Sequence, residues 1–327
     1  MPKKSSLLDQ KDRKILSELD KNARQTDTQM GKKVGLSKQV VNYRIQKLIE
    51  RGIISNFYTI INTGLLGLNS YYLFLQLEKI NGTQESELMK KINALGYVGW
   101  LVSGTGRWDA VALIYAGSPG EFDALLTEII TLCGDHLHEY QFTALVHAEH
   151  LGYKFLAEKE IFLSVQQTEK KTPTILELTD KKILAALSQN SRRSLVEVSQ
   201  ITKIPTHKIH YHLKKLIKLK LIEGFKPKID LSVLGYQWHL LLLQFRSTTE
   251  KEKKEFFNFC RYYKKIYYAT HTVGQYNFML DIHVHSMEEF KEVLLELKSR
   301  FSGNIHLYES IIIFKEHKID YFPIKLL

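Results

Sequence analysis

The chain repeats itself. A shift of 168 residues lays the second half on the first without a gap: Asp12 meets Asp180, Ile15 meets Ile183, Asn22 meets Asn190, Arg24 meets Arg192, Tyr43 meets Tyr211 and Gly106 meets Gly274. Across 12–57 and 180–225, 13 of 46 pairs are identical. One register held from residue 12 to 156 means two copies of one multi-part module. Two copies on one chain can act as a covalent pseudo-dimer, and each is long enough to build its own core.

Charge is unevenly placed along the repeat. Residues 1–57 carry 13 Lys/Arg against 6 Asp/Glu, and 175–230 carry 12 against 5, so each opening segment has a net charge of +7. Residues 58–168 come to −6 and 231–327 to +2. Basic charge gathered at the start of each copy suits a polyanionic partner; a solvated basic face is the plain alternative. The two cysteines, Cys133 and Cys260, occupy non-equivalent positions and outline neither a disulfide framework nor a zinc site. The longest apolar stretch, Leu65–Leu77, contains Asn69, Ser70 and Gln76, too short and too polar for a membrane span. The N-terminus lacks a signal-peptide core. The expected location is cytoplasmic.

In each copy the basic segment reads as three helices and a strand. Ile15, Leu16 and Leu19 share one face of a first helix over 9–22. A short second helix covers Asp27–Val34. Gly35-Leu36-Ser37 is a tight turn with a helix-ending glycine and an N-cap serine. A third helix runs from Lys38 to about Arg51 with Val41, Ile45 and Leu48 inward. This grammar predicts a winged helix-turn-helix whose third helix enters the major groove of double-stranded DNA. The candidate DNA-contacting residues are Ser37, Lys38, Gln39, Asn42, Tyr43 and Arg44, with Arg44 as a phosphate clamp. Asn and Gln can pair two-pronged with adenine, and Lys reaches guanine or phosphate. In copy two the matching set is Thr206, His207, His210, Tyr211 and His212, so the two helices should not read the same bases.

The rest of each copy alternates as strand, helix, strand, strand, helix, strand, the order of a ferredoxin-like βαββαβ sandwich. The fold class expected is α+β, two tandem copies of a winged helix-turn-helix followed by a ferredoxin-like βαββαβ sandwich. Domain boundaries fall at 1–62, 63–157, 175–230 and 231–327, with 158–174 as linker.

At this point the chain resembles a known family. The opening DRKILSELDKNAR, the turn and helix KKVGLSKQVVNYRIQKLIERGII, the hinge Gly67-Leu68 and the turn SGTGRWD at 103–109 resemble the Lrp/AsnC (feast/famine) transcription regulators, across nearly the whole chain in tandem-duplicated form. The resemblance implies pairing through the βαββαβ modules, here within one chain, further assembly of such units, and an amino-acid effector near Gly104, Thr105, Gly106 and Asp109. Exposed glycine N–H groups can hold a carboxylate and Asp109 can accept from an ammonium; a plain hairpin turn is the other reading. Copy two has Asn277 in place of that aspartate.

Thirteen histidines include the pairs His136/His138, His207/His210 and His283/His285, but no carboxylate or cysteine completes an obvious metal set, and neither metal nor cofactor is expected. The enzyme alternative is a siroheme-decarboxylase-like chain of the same architecture. Its His/Tyr/Arg-rich strand motif is not matched here, with Tyr268 and His271 the nearest candidates, and the expectation is a non-enzyme.

Overall fold

The computed structural model describes residues 7–156, 173–246 and 249–326. Copy one runs α1 (Gln10–Lys21), α2 (Asp27–Val34), α3 (Lys38–Glu50), β1 (Ile54–Ile61), β2 (Asn69–Leu77), α4 (Gly82–Ala94), β3 (Val98–Thr105), β4 (Ala110–Ala116), α5 (Pro119–Cys133) and β5 (Leu137–His150). Copy two repeats it as α6 (Leu178–Gln189), α7 (Leu195–Thr202), α8 (Thr206–Lys218), β6 (Ile222–Ile229), β7 (Gln237–Phe245), α9 (Glu250–Tyr262), β8 (Ile266–Gly274), β9 (Phe278–Val284), α10 (Met287–Phe301) and β10 (Ile305–Ile319). Most of the linker expected at 158–174 lies outside the described residues. At its end, Thr174 donates its N–H to Leu65 O at 2.6 Å.

The helical heads form for the local reasons read from sequence. Asp9 and Asp12 make a capping box at the start of α1, and Thr26 and Gln29 make another at α2. Gly35 ends α2 at φ 67°, a left-handed conformation that costs glycine little, and Ser37 caps α3 by accepting from Val40 N–H. Ile15, Leu16, Leu19, Val41, Ile45 and Leu48 are buried together.

The strand after each head behaves differently from a self-contained wing. β1 pairs antiparallel with β6 of the other copy, Phe57 facing Pro227 and Thr59 facing Phe225. Bonds repeat across this ribbon with the 168-residue offset. Ala23 N–H donates to Phe225 O and Ser191 N–H to Phe57 O. Arg24 donates to Ser191 O at 2.5 Å while lying over Phe225, and Arg192 donates to Ala23 O at 2.7 Å while lying over Phe57. The heads are therefore locked together about a pseudo-two-fold axis.

The two βαββαβ sheets also join. Their orders, β3-β4-β2-β5 and β8-β9-β7-β10, are the ferredoxin-like order, and β5 pairs with β8 while β10 pairs with β3. The result is one closed eight-stranded barrel, none of whose strands is an edge strand. Alternation along each strand divides the side chains. Tyr71, Leu73 and Leu75 face α4 and α5, Leu241 and Leu243 face α9 and α10, and Tyr72, Phe74, Leu240 and Leu242 fill the lumen. At one end of the lumen the equivalent residues Trp108 and Tyr276 meet, with indole Nε1–H donating to the phenol oxygen at 2.9 Å.

The glycine turn lies on a seam of this barrel. Gly104 sits opposite Ile313, and a Cβ there would collide with the carbonyl of Ile312. Gly106, at φ 154°, would meet Ser310 O at 2.6 Å. The residues are glycines because another backbone runs against them. Gly104→Val is expected to separate β3 from β10 and destabilise the barrel by several kcal/mol, as overpacking does at sites that cannot relax. Thermal unfolding followed by near-ultraviolet circular dichroism checks this. A melting point within a degree of the parent would show that the seam opens without cost.

Candidate nucleic-acid interface and barrel cavity

On α3 the residues Ser37, Lys38, Gln39, Asn42 and Tyr43 are exposed, and Tyr43 is 61% accessible with the Lys47 ammonium 5.8 Å from its ring centroid. Asn42 Nδ2 donates to Asp27 Oδ2 at 3.0 Å through one of its two N–H groups. Arg44 faces elsewhere. Its guanidinium bridges Asp9 Oδ2 and Asp12 Oδ1, both at 2.7 Å, and ties α3 to the start of α1.

On α8, Thr206, His207, His210 and Tyr211 are all exposed. His212 does not belong with them. It is buried, and its Nδ1 lies 2.7 Å from Asp180 Oδ1. It is the counterpart of Arg44, as Asp180 is of Asp12. Lys215 completes the exchange, reaching Glu177 at 2.6 Å and Asp180 at 3.2 Å. Glu177, Asp180 and His212 are the one group among the described residues that could ligate a metal, and Lys215 already stands within it. The sequence held a signal for this: an aspartate at one place in both copies, with a base 32 positions later in both.

At the glycine turn, Thr105 and Gly106 are exposed, but Asp109 is occupied. Its Oδ2 accepts from Leu77 N–H at 2.6 Å, and in copy two Asn277 Oδ1 accepts from Phe245 N–H at 2.6 Å. A neutral amide does the same work as the carboxylate, so what the position needs is an acceptor for the neighbouring strand.

Sequence reasoning missed a cavity of about 800 Å³ where the β1–β6 ribbon meets the barrel. Its floor includes Tyr268, Asp281 and His283, and its mouth includes Ser55, Gln237 and Phe314. Burial pushes the His150 and His283 imidazoles down to about 3 and the Asp281 carboxyl up to about 7. His271 does not line the cavity, so the structure separates it from Tyr268.

Against known proteins, the winged helix-turn-helix DNA-binding family matches residues 8–55 and 176–223. An HTH-type transcriptional regulator of Pyrococcus furiosus is 30% identical over 125 residues, 38% of this chain and 83% of that protein. The regulator Ptr1 of Methanocaldococcus jannaschii is 33% identical over 110 residues, 33% of this chain and 71% of that protein. The siroheme decarboxylase NirDL matches in fold, with a TM-score of 0.61 at 16% identity over 95% of this chain and 94% of that one. The fold and the exposed recognition helices define a winged helix-turn-helix protein with a paired βαββαβ body. The chain belongs to the family of HTH-type transcriptional regulators, with the helix-turn-helix present twice. No described helix is long and apolar enough to cross a membrane.

Proposed function

We propose that this chain is a sequence-specific DNA-binding transcription regulator in which one polypeptide supplies both heads of a functional dimer. The observation that carries this reading is the ribbon. It fixes two unlike recognition helices in one rigid unit, and rigid spacing of heads is how dimeric helix-turn-helix proteins select paired half-sites. The net charge of +7 on each head supplies the phosphate attraction.

The fold shared with a decarboxylase leaves chemistry to be argued from the cavity. Siroheme-type tetrapyrroles are polycarboxylates and need several cations. The cavity lining carries three carboxylates, Asp230, Asp281 and Glu316, against Lys228 and Lys315, and Lys228 is spent on Glu316 at 2.9 Å. This charge balance favours a regulator over that enzyme. A small-molecule effector fits the regulator reading. The seam residues Gly104, Thr105, Gly106 and Asp109 stay as its implied contact, with Thr105 and Gly106 as the accessible part.

The test is binding of a selected duplex by fluorescence anisotropy across salt concentrations. Lys38→Glu should weaken binding and lower the slope of log K against log salt by about 1, the value for one lost phosphate contact. Arg44→Glu should instead lower the melting point, because that guanidinium neutralises Asp9 and Asp12. An unchanged slope in Lys38→Glu would remove α3 from the interface.

A further inference from the structure

At the barrel cavity the two copies differ in chemistry. Leu113 and Tyr115 of copy one have Asp281 and His283 as counterparts 168 residues on. In copy one the Tyr115 ring packs over Gly99, in space that a Cβ at that position would invade. In copy two the glycine is replaced by Tyr267 and the tyrosine by the smaller His283, and two ionisable groups enter an aromatic wall.

The polar groups there are built but incompletely used. Trp238 Nε1–H donates to Asp281 Oδ1 at 2.7 Å, and the other carboxylate oxygen has no protein partner among the described residues. Trp100 Nε1–H donates to Glu316 Oε1 at 2.7 Å, and Lys228 holds the second oxygen of Glu316. His150 Nδ1, His283 Nδ1 and Thr270 Oγ1 are buried without a hydrogen-bond partner. Their residues are 3%, 6% and 1% exposed, and all three line the cavity. Unpaired buried polar atoms each cost free energy, about 1–3 kcal/mol, unless something in the cavity answers them.

We infer that this cavity is a binding site for an organic cation of arylalkylamine type, its ammonium on Asp281 and its ring among the tyrosines and tryptophans. The sign follows from the groups present. The carboxylate with an unused oxygen is the strongest feature of the floor. The histidines are neutral and offer lone pairs to ammonium hydrogens. Aromatic faces attract cations and repel anions. One such carboxylate matches one ammonium, and the apolar remainder of the wall suits a flat hydrocarbon body of drug-like size or smaller. A free amino acid fits less well, since its own carboxylate would approach Asp281 and Glu316.

Proton linkage sharpens this. Without ligand the Asp281 carboxyl is raised to about 7 by burial. The ionisable groups coupled to it are Tyr72, Tyr268 and Glu316, which Lys228 holds, and His283 and His150 line the same cavity. The histidines stay neutral above about 3, and burial raises both phenols, so none of these rings titrates near 7. A cation selects the ionised carboxylate. Affinity should therefore be full above pH 7 and fall about tenfold for each unit below it, with one proton released on binding.

Calorimetric titration of the intact, DNA-free chain tests the inference independently of the regulator reading. Tyramine is the probe, with tyrosine, 3-(4-hydroxyphenyl)propionate and haemin as comparisons. Tyramine should bind at least tenfold more tightly than tyrosine, and the propionate should give no heat. Below pH 7 the tyramine heat should depend on buffer ionisation. Asp281→Asn, which keeps an acceptor for Trp238, should lose at least tenfold in affinity and all of the buffer dependence. Binding of haemin or the propionate in place of tyramine would overturn the assignment. So would absence of binding, or tyramine binding at pH 6 without proton release in the unaltered chain, a readout that does not depend on any variant folding.

Discussion

Lys226→Ala is expected to destabilise the chain by about 3–5 kcal/mol, the cost of stripping one partner from a buried ion pair. Lys226 is 2% exposed, and its ammonium lies 2.9 Å from Asp20 Oδ1. The other oxygen of Asp20 accepts from Tyr153 N–H at 2.9 Å. One carboxylate thus joins α1 of the first head, β6 of the ribbon and the segment that follows β5. Without the lysine a buried charge remains, answered by one amide. Removing both charges, as in Asp20→Asn with Lys226→Met, should recover much of the loss, because the pair's net worth against well-packed neutral groups is small. Denaturant melts of the single and double variants measure the difference. A loss below about 1 kcal/mol in Lys226→Ala would mean that water reaches Asp20. The pair has no twin: the counterpart of Lys226 is Tyr58, whose hydroxyl lies 3.1 Å from that of Tyr267.

The 168-residue offset and local periodicity were enough to read both heads and both βαββαβ bodies, because caps, turns and alternating strands act over a few residues. The turn glycine Gly35 and the capping serine Ser37 stand where that reading placed them. The partner of β1 was not legible. Ile54–Ile61 looks the same whether it folds back as a wing or pairs with its twin, and the choice rests on contacts between residues some 170 apart. His212 was misplaced for a similar reason. Its spacing on α8 suits the outer edge of the helix face, but the buried Asp180 draws it inward. Asp109 shows the limit of reasoning by residue type: a carboxylate beside glycines suggests a ligand, while the neighbouring strand already takes its oxygen. The cavity was invisible, since Tyr58, Trp100, Asp281 and Glu316 converge only once the barrel closes.

A non-palindromic operator is the other large effect expected. In a homodimer both recognition helices are identical, and two-fold symmetry of the protein is copied into its half-sites. Here the ribbon locks α3 to α8, which present Lys38, Gln39 and Asn42 on one side and Thr206, His207 and His210 on the other. Selection from random duplexes should return two unlike half-sites about one helical turn apart. Gln39 and Asn42 suit adenine, and each two-pronged base contact is worth about 1–3 kcal/mol. Changing both to alanine should therefore weaken binding by about 30-fold to 10⁴-fold and blur only the first half-site. The matching change at His207 and His210 should cost less and blur only the second. Pairing of whole chains, α3 with α3, would restore a palindrome, with each ribbon then spanning two separate sites. A symmetric consensus, or a loss spread evenly over both half-sites, would mean that the unit reading DNA is two chains and that the fused heads are not its two halves.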